Sequence, residues 1–93
     1  MSETIEREFS VRSELGLHAR PAGQFVSLAA RFSSEISVAR GDEWVDGRSV
    51  LSLLSLAAAR GSRLRIRATG LDAAEAVEAL GRLLEHPEPT PVR

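Results

Sequence analysis

The chain has no cysteine, which excludes disulfides, thiol catalysis and cysteine-ligated metal. Lysine is absent as well: all twelve basic residues are arginine, so no chemistry that needs a lysine amine is available. Aromatic residues are scarce at 4%. There is no large excess of one charge: the formal net charge is -1, so bulk electrostatics argue for neither nucleic acid nor an anionic membrane as partner. No apolar run approaches the ~20 residues that span a bilayer. The opening MSETIEREF is polar and charged and does not read as a signal peptide, so a cytoplasmic protein is the expectation.

What remains is ordinary globular material. Hydrophobic residues make up 43% and charged residues 27% of 93 residues, enough for a single modest core. Hydropathy periodicity divides the chain. In TIEREFSVR, Ile5, Arg7, Phe9 and Val11 alternate with Glu6, Glu8, Ser10 and Arg12, the pattern of a half-buried strand. From Ala19 to Phe32 the period becomes helical, with Ala22, Phe25, Val26, Ala29 and Ala30 on one face and Pro21 in the first turn, where it removes no helical hydrogen bond. SSEISVAR alternates again, GDE turns and EWV returns, a hairpin over residues 34–46. A second helix is expected over 49–59, with Gly61 as its stop. RLRIRATG alternates cleanly, Leu64, Ile66 and Ala68 inward and Arg63, Arg65 and Arg67 outward. A last helix opens at Asp72, which with Glu75 forms a carboxylate version of a capping box; Ala73, Ala76, Val77, Leu80, Leu83 and Leu84 form its apolar face.

Four alternating strands interleaved with three helices predict an α+β two-layer sandwich in the order βαββαβα. The expected domain runs over residues 1–86, and the proline-rich residues 87–93 read as a flexible tail. Trp44 is expected to pack with its N–H near solvent. The arginine stripe reads as a solvated strand face, since no aromatic is expected beside it to stack bases. His86 receives no role.

The chemistry concentrates in LGLHARPAG, residues 15–23. A helix N-terminus presents unpaired amides and partial positive charge, which suit an anion such as phosphate. Gly16 lets the chain turn into it, and Arg20 adds a guanidinium fork suited to phosphoryl oxygens. The positive helix end favours uncharged imidazole at His18, whose lone pair can attack phosphorus. A histidine at a helix start also serves commonly as a cap or a plain surface residue, and chemistry alone leaves both readings open.

GLHARPA, residues 16–22, resembles the active-site signature of the HPr family, the histidine-containing phosphocarriers of the bacterial phosphotransferase system. The likeness extends through ARPAGQFVSLAARFSSEISV and GRSVLSLLSLAAARGS, roughly residues 4–85. It implies an open-faced β-sandwich: a four-stranded antiparallel sheet, in the order first, fourth, second, third strand, covered on one face by three helices. It implies that His18 takes a phosphoryl group on Nδ1 from phospho-enzyme I and passes it to enzyme II components, enzyme IIA among them, with Arg20 stabilising the phosphoryl charge. Ser49 matches a regulatory site modified by HPr kinase/phosphorylase, and also suits a plain helix cap. Val50, Leu51 and Leu54 match an apolar docking patch; Leu53 and Leu56 are expected inward, and Leu51 and Leu54 at least partly exposed. A transcriptional regulator is a further implied partner, and a monomer without cofactor or metal the implied state. A carrier of this kind turns over no small substrate of its own. Two other readings stand beside the sugar-system carrier: a regulatory paralogue similar to the nitrogen-system HPr, and a binding module similar to the HPr-like catabolite repression proteins that lack the histidine. Retention of His18 argues against the last.

Overall fold

A computed structural model describes residues 2–87 of the chain. The elements follow the hydropathy pattern: β1 (Glu3–Ser10), α1 (Ala19–Ala29), β2 (Glu35–Arg40), β3 (Glu43–Asp46), α2 (Val50–Ser55), β4 (Arg63–Gly70) and α3 (Ala73–Glu85). The four strands form one sheet in the order β1-β4-β2-β3, antiparallel at every pairing. Period-two alternation decides which face each residue takes. Leu64, Ile66 and Ala68 of β4 pair across to Phe9 and Ile5 on one side and to Val38 and Ile36 on the other. This inward layer meets Ala22, Phe25 and Ala29 of α1, Leu53 of α2, and Ala76, Val77, Leu80 and Leu84 of α3 in one buried cluster. Each fully buried Leu, Ile or Phe in it contributes roughly 1.5–3 kcal/mol relative to exposure. The architecture is the open-faced α+β sandwich expected from the sequence. No helix among the described residues is long and apolar enough to cross a membrane.

Helix α3 comes very close to β1 at Gly81, where a Cβ would overlap the Phe9 ring. A side chain at position 81 would force that ring to shift. Arg7, inward by register but on the edge strand, keeps its head in solvent and reaches Glu78 of α3 at 3.3 Å. The connection from α1 to β2 is fastened from both sides. Asp72 accepts hydrogen bonds from the Ser33 amide at 2.9 Å, the Ser34 amide at 3.0 Å and the Ser34 hydroxyl at 2.5 Å. The Arg48 guanidinium donates to the carbonyls of Phe32 and Ser34, both at 2.7 Å.

Four sequence expectations are corrected. Asp72 takes the N-cap position of α3 but makes no side-chain cap bond; its carboxylate is already committed to Ser33 and Ser34. Ala30, the C-cap of α1, is exposed: at about 100° per residue it sits at the edge of the face that buries Ala22, Phe25 and Ala29. Helix α2 closes at Ser55, with Leu56 as its C-cap, and does not run to residue 59. Ala57 adopts φ +50°, and left-handed backbone ends a helix; Gly61 instead serves the turn into β4. Finally, the arginine stripe is not simply solvated. Arg67 and Arg65 place their guanidinium carbons 3.8 Å and 5.0 Å from the centroid of the Trp44 ring. Strand β2 lies between, but its outward residues Ser37 and Ala39 are small enough for the indole to reach across. Glu6 pairs with Arg65 and Arg67, and Glu8 with Arg63. Of the proline-rich segment, residues 88–93 lie outside the described residues.

Candidate functional site

The segment around His18 is shaped by backbone bonds that its own sequence does not reveal. Gly16 has φ +77°, and a Cβ there would sit 2.9 Å from the Ala59 Cα. A side chain is therefore excluded on two counts, conformation and space. The Leu17 amide donates to the Ala58 carbonyl at 2.8 Å, and the His18 amide to the Gly16 carbonyl at 3.0 Å. Leu17 is buried. Its side chain and amide thus hold the turn down while His18, the next residue, emerges half-exposed.

His18 occupies the N-cap of α1 with extended backbone, φ -94° and ψ -170°, and its side chain makes no cap bond. The first helical bond runs from the Ala22 amide to the His18 carbonyl at 2.9 Å. The amides of Ala19 and Arg20 precede that ladder, and Pro21 has none to offer. Arg20 is exposed in the same first turn. The ion pairs among the described residues engage Arg7, Arg63, Arg65 and Arg67 and leave Arg20 out. An imidazole uncommitted to a cap, two leading amides and a guanidinium outside the ion pairs of the described residues therefore share one helix end. This combination can hold an anion against a nucleophilic nitrogen.

Ser49 is the N-cap of α2, and its hydroxyl accepts from the Ser52 amide at 3.1 Å. It opens α2 at the end away from the 57–59 loop that touches Leu17. The helix of six residues sets the two apart by about 9 Å along its axis. Leu53 and Leu56 point inward as expected, while Leu51 is 80% exposed. Val50 and Leu54 are half-buried and pack partly against the core, so Leu51 is the apolar side chain α2 offers most freely to solvent. Leu15, 76% exposed and three residues before His18, was not singled out by the sequence. Its only signal there is a large apolar residue in a turn segment with no periodicity. Among the described residues, no group of three or more His, Cys, Asp or Glu could hold a metal ion.

Known proteins resemble this chain in sequence and in fold. Residues 5–86 fit the family model described as the PTS HPr component phosphorylation site. The phosphocarrier protein HPr of Neisseria meningitidis serogroup A is 38% identical over 80 residues, covering 86% of this chain and 90% of that protein. The HPr-like protein Crh of Halalkalibacterium halodurans is 40% identical over 81 residues, covering 87% of this chain and 96% of its own length. Among solved structures, the HPr of Bacillus anthracis superposes with a TM-score of 0.84 at 36% identity, over 87% of this chain and 96% of that one. With a sheet order, a helix layer and a sequence likeness that agree over nearly its whole described length, the chain belongs to the HPr family of phosphocarrier proteins of the phosphotransferase system.

Proposed function

We propose that the protein carries a phosphoryl group on His18, accepting it from phospho-enzyme I and passing it to an enzyme II component such as enzyme IIA. The observation that carries this reading is the half-exposed His18, free of any cap bond, at the helix end where Arg20 makes no ion pair among the described residues. The Nδ1 lone pair attacks phosphorus in line as the bond to the donor breaks, and the displaced electron pair stays with the donor. The Arg20 guanidinium and the leading amides of α1 offset the charge on the equatorial oxygens. Transfer onward reverses these roles, and docking excludes water during each step. Leu51, aided by Val50 and Leu54, supplies the apolar contact for docking.

Ser49 is the proposed regulatory site, modified by HPr kinase/phosphorylase, with a transcriptional regulator as reader of the modified form. A phosphate there would sit at the start of α2, on a residue whose hydroxyl already faces the helix amides. The working state is a cytoplasmic monomer of one domain, residues 1–86, needing no cofactor or metal and binding neither nucleic acid nor membrane. The likeness to Crh keeps a binding role within the family's range, but His18 retained at an open helix start favours transfer.

Incubation with enzyme I, phosphoenolpyruvate and Mg²⁺ tests the reading. An acid-labile adduct is expected on the wild-type chain and none on His18→Ala. An adduct that survives the substitution would refute it.

A further inference from the structure

The three carbonyls that follow helix α2, those of Leu56, Ala57 and Ala58, are all engaged. The Ala58 carbonyl accepts the Leu17 amide, directly before His18. The Leu56 and Ala57 carbonyls accept from the Arg40 guanidinium, at 3.0 Å and 3.2 Å. Arg40 is the last residue of β2 and comes from a part of the chain that contributes nothing to the site directly. It bonds a turn that Ala57, at φ +50°, holds in backbone unfavourable to a residue with a Cβ. The turn is therefore strained and externally fastened at the same place. It is also the surface on which Gly16 rests, with its missing Cβ 2.9 Å from the Ala59 Cα.

We infer that Arg40 is a positioning residue for phosphoryl transfer: by pinning the C-terminal turn of α2 it fixes the platform that orients Leu17 and, through it, the His18 ring. The inference rests on the carrier reading above. A guanidinium suits the task because one terminal nitrogen, Nη1, carries two N–H groups and donates to two successive carbonyls, while its permanent charge complements the negative end of the helix. Arg40 touches no reacting atom, so its effect on chemistry passes entirely through backbone placement. Transfer rates respond steeply to that placement, because the nucleophile must stand in line with the donor at near-contact distance.

Two measurements on Arg40→Met and Arg40→Lys test this. The first is amide hydrogen exchange by NMR, which needs no partner. In Arg40→Met the Leu17 amide should exchange at least ~10-fold faster, while amides of α3 and β4 change by less than about threefold. The second is the initial rate of phosphorylation by enzyme I and phosphoenolpyruvate, with wild type and His18→Ala alongside. Arg40→Met should be slower by about 3- to 10-fold, and Arg40→Lys should recover part of the loss. Unchanged Leu17 exchange, a uniform rise at all amides, or an unchanged rate in Arg40→Met would each overturn the positioning role. A wild-type chain that takes no phosphoryl group would instead refute the carrier reading, and the exchange data would still decide whether Arg40 holds the turn.

Discussion

Ala57 is the non-glycine residue with positive φ among those described, at +50°. Alanine there is disfavoured by contact between its Cβ and the neighbouring carbonyl. Ala57→Gly should raise stability by roughly 0.5 kcal/mol, the relieved backbone strain of ~1–2 kcal/mol less ~0.4–1 kcal/mol for the freer unfolded chain, read as a higher urea midpoint at unchanged slope. Asp72 makes the opposite kind of residue-scale contribution. The Ser34 hydroxyl, then the Ser33 amide, hold its carboxyl below the ordinary value of 3.8. A depressed folded value stabilises the fold above the unfolded value, and this is lost as pH falls through the folded one. Urea midpoints of the wild type should therefore drop below about pH 4 partly through this group, and Asp72→Asn should be weaker at pH 7 and flatter in acid. An acid profile unchanged by Asp72→Asn would contradict the assignment. The placement of His18 and Arg20 at one helix start is legible from sequence because its signals are local: one glycine, one proline and a change of period. The bonds of Arg40 and Asp72 are not, because their partners lie 16 and 38 residues away, and no periodicity encodes such a bond.

At the level of elements, the strands and two longer helices followed their hydropathy periods, since burial on one face fixes both type and register. The exception is α2. SVLSLLSLAAA offers helical composition to residue 59, yet the chain leaves the helix at Ala57 to present the Ala58 carbonyl to Leu17. Tertiary bonds outweigh the propensity of three alanines, which is worth only tenths of a kcal/mol per residue. So short a helix depends on its caps. Ser49→Ala removes the hydroxyl that accepts from the Ser52 amide and should cost about 1 kcal/mol of unfolding free energy, whereas Ser49→Asp should keep most of it. Equal stability of the two variants would mean that the cap contributes nothing. The Trp44 cluster is hidden from the sequence for a related reason: the indole reaches its arginines across an intervening strand with small outward residues.

Across the whole molecule, the sheet and α3 form the support, and the residues proposed to meet partners belong to the other two helices: His18 and Arg20 at the start of α1, and Leu51 on α2. The two helices pack against each other, and the loop after α2 bonds the residue before His18. Leu51→Glu should accordingly leave the unfolding free energy within about 0.5 kcal/mol of wild type, because the side chain is already in solvent, yet slow phosphoryl acceptance by weakening docking, as seen in a raised KM for enzyme I. A KM equal to wild type would remove Leu51 from the docking surface. The central claim, that the uncommitted imidazole at position 18 is the phosphoryl acceptor, is tested most directly by mapping the modified residue. After incubation with enzyme I and phosphoenolpyruvate, ³¹P and ¹⁵N NMR should find a single phosphoramidate on the His18 Nδ1. A phosphoryl group on His86 or on a hydroxyl, or none at all, would contradict it.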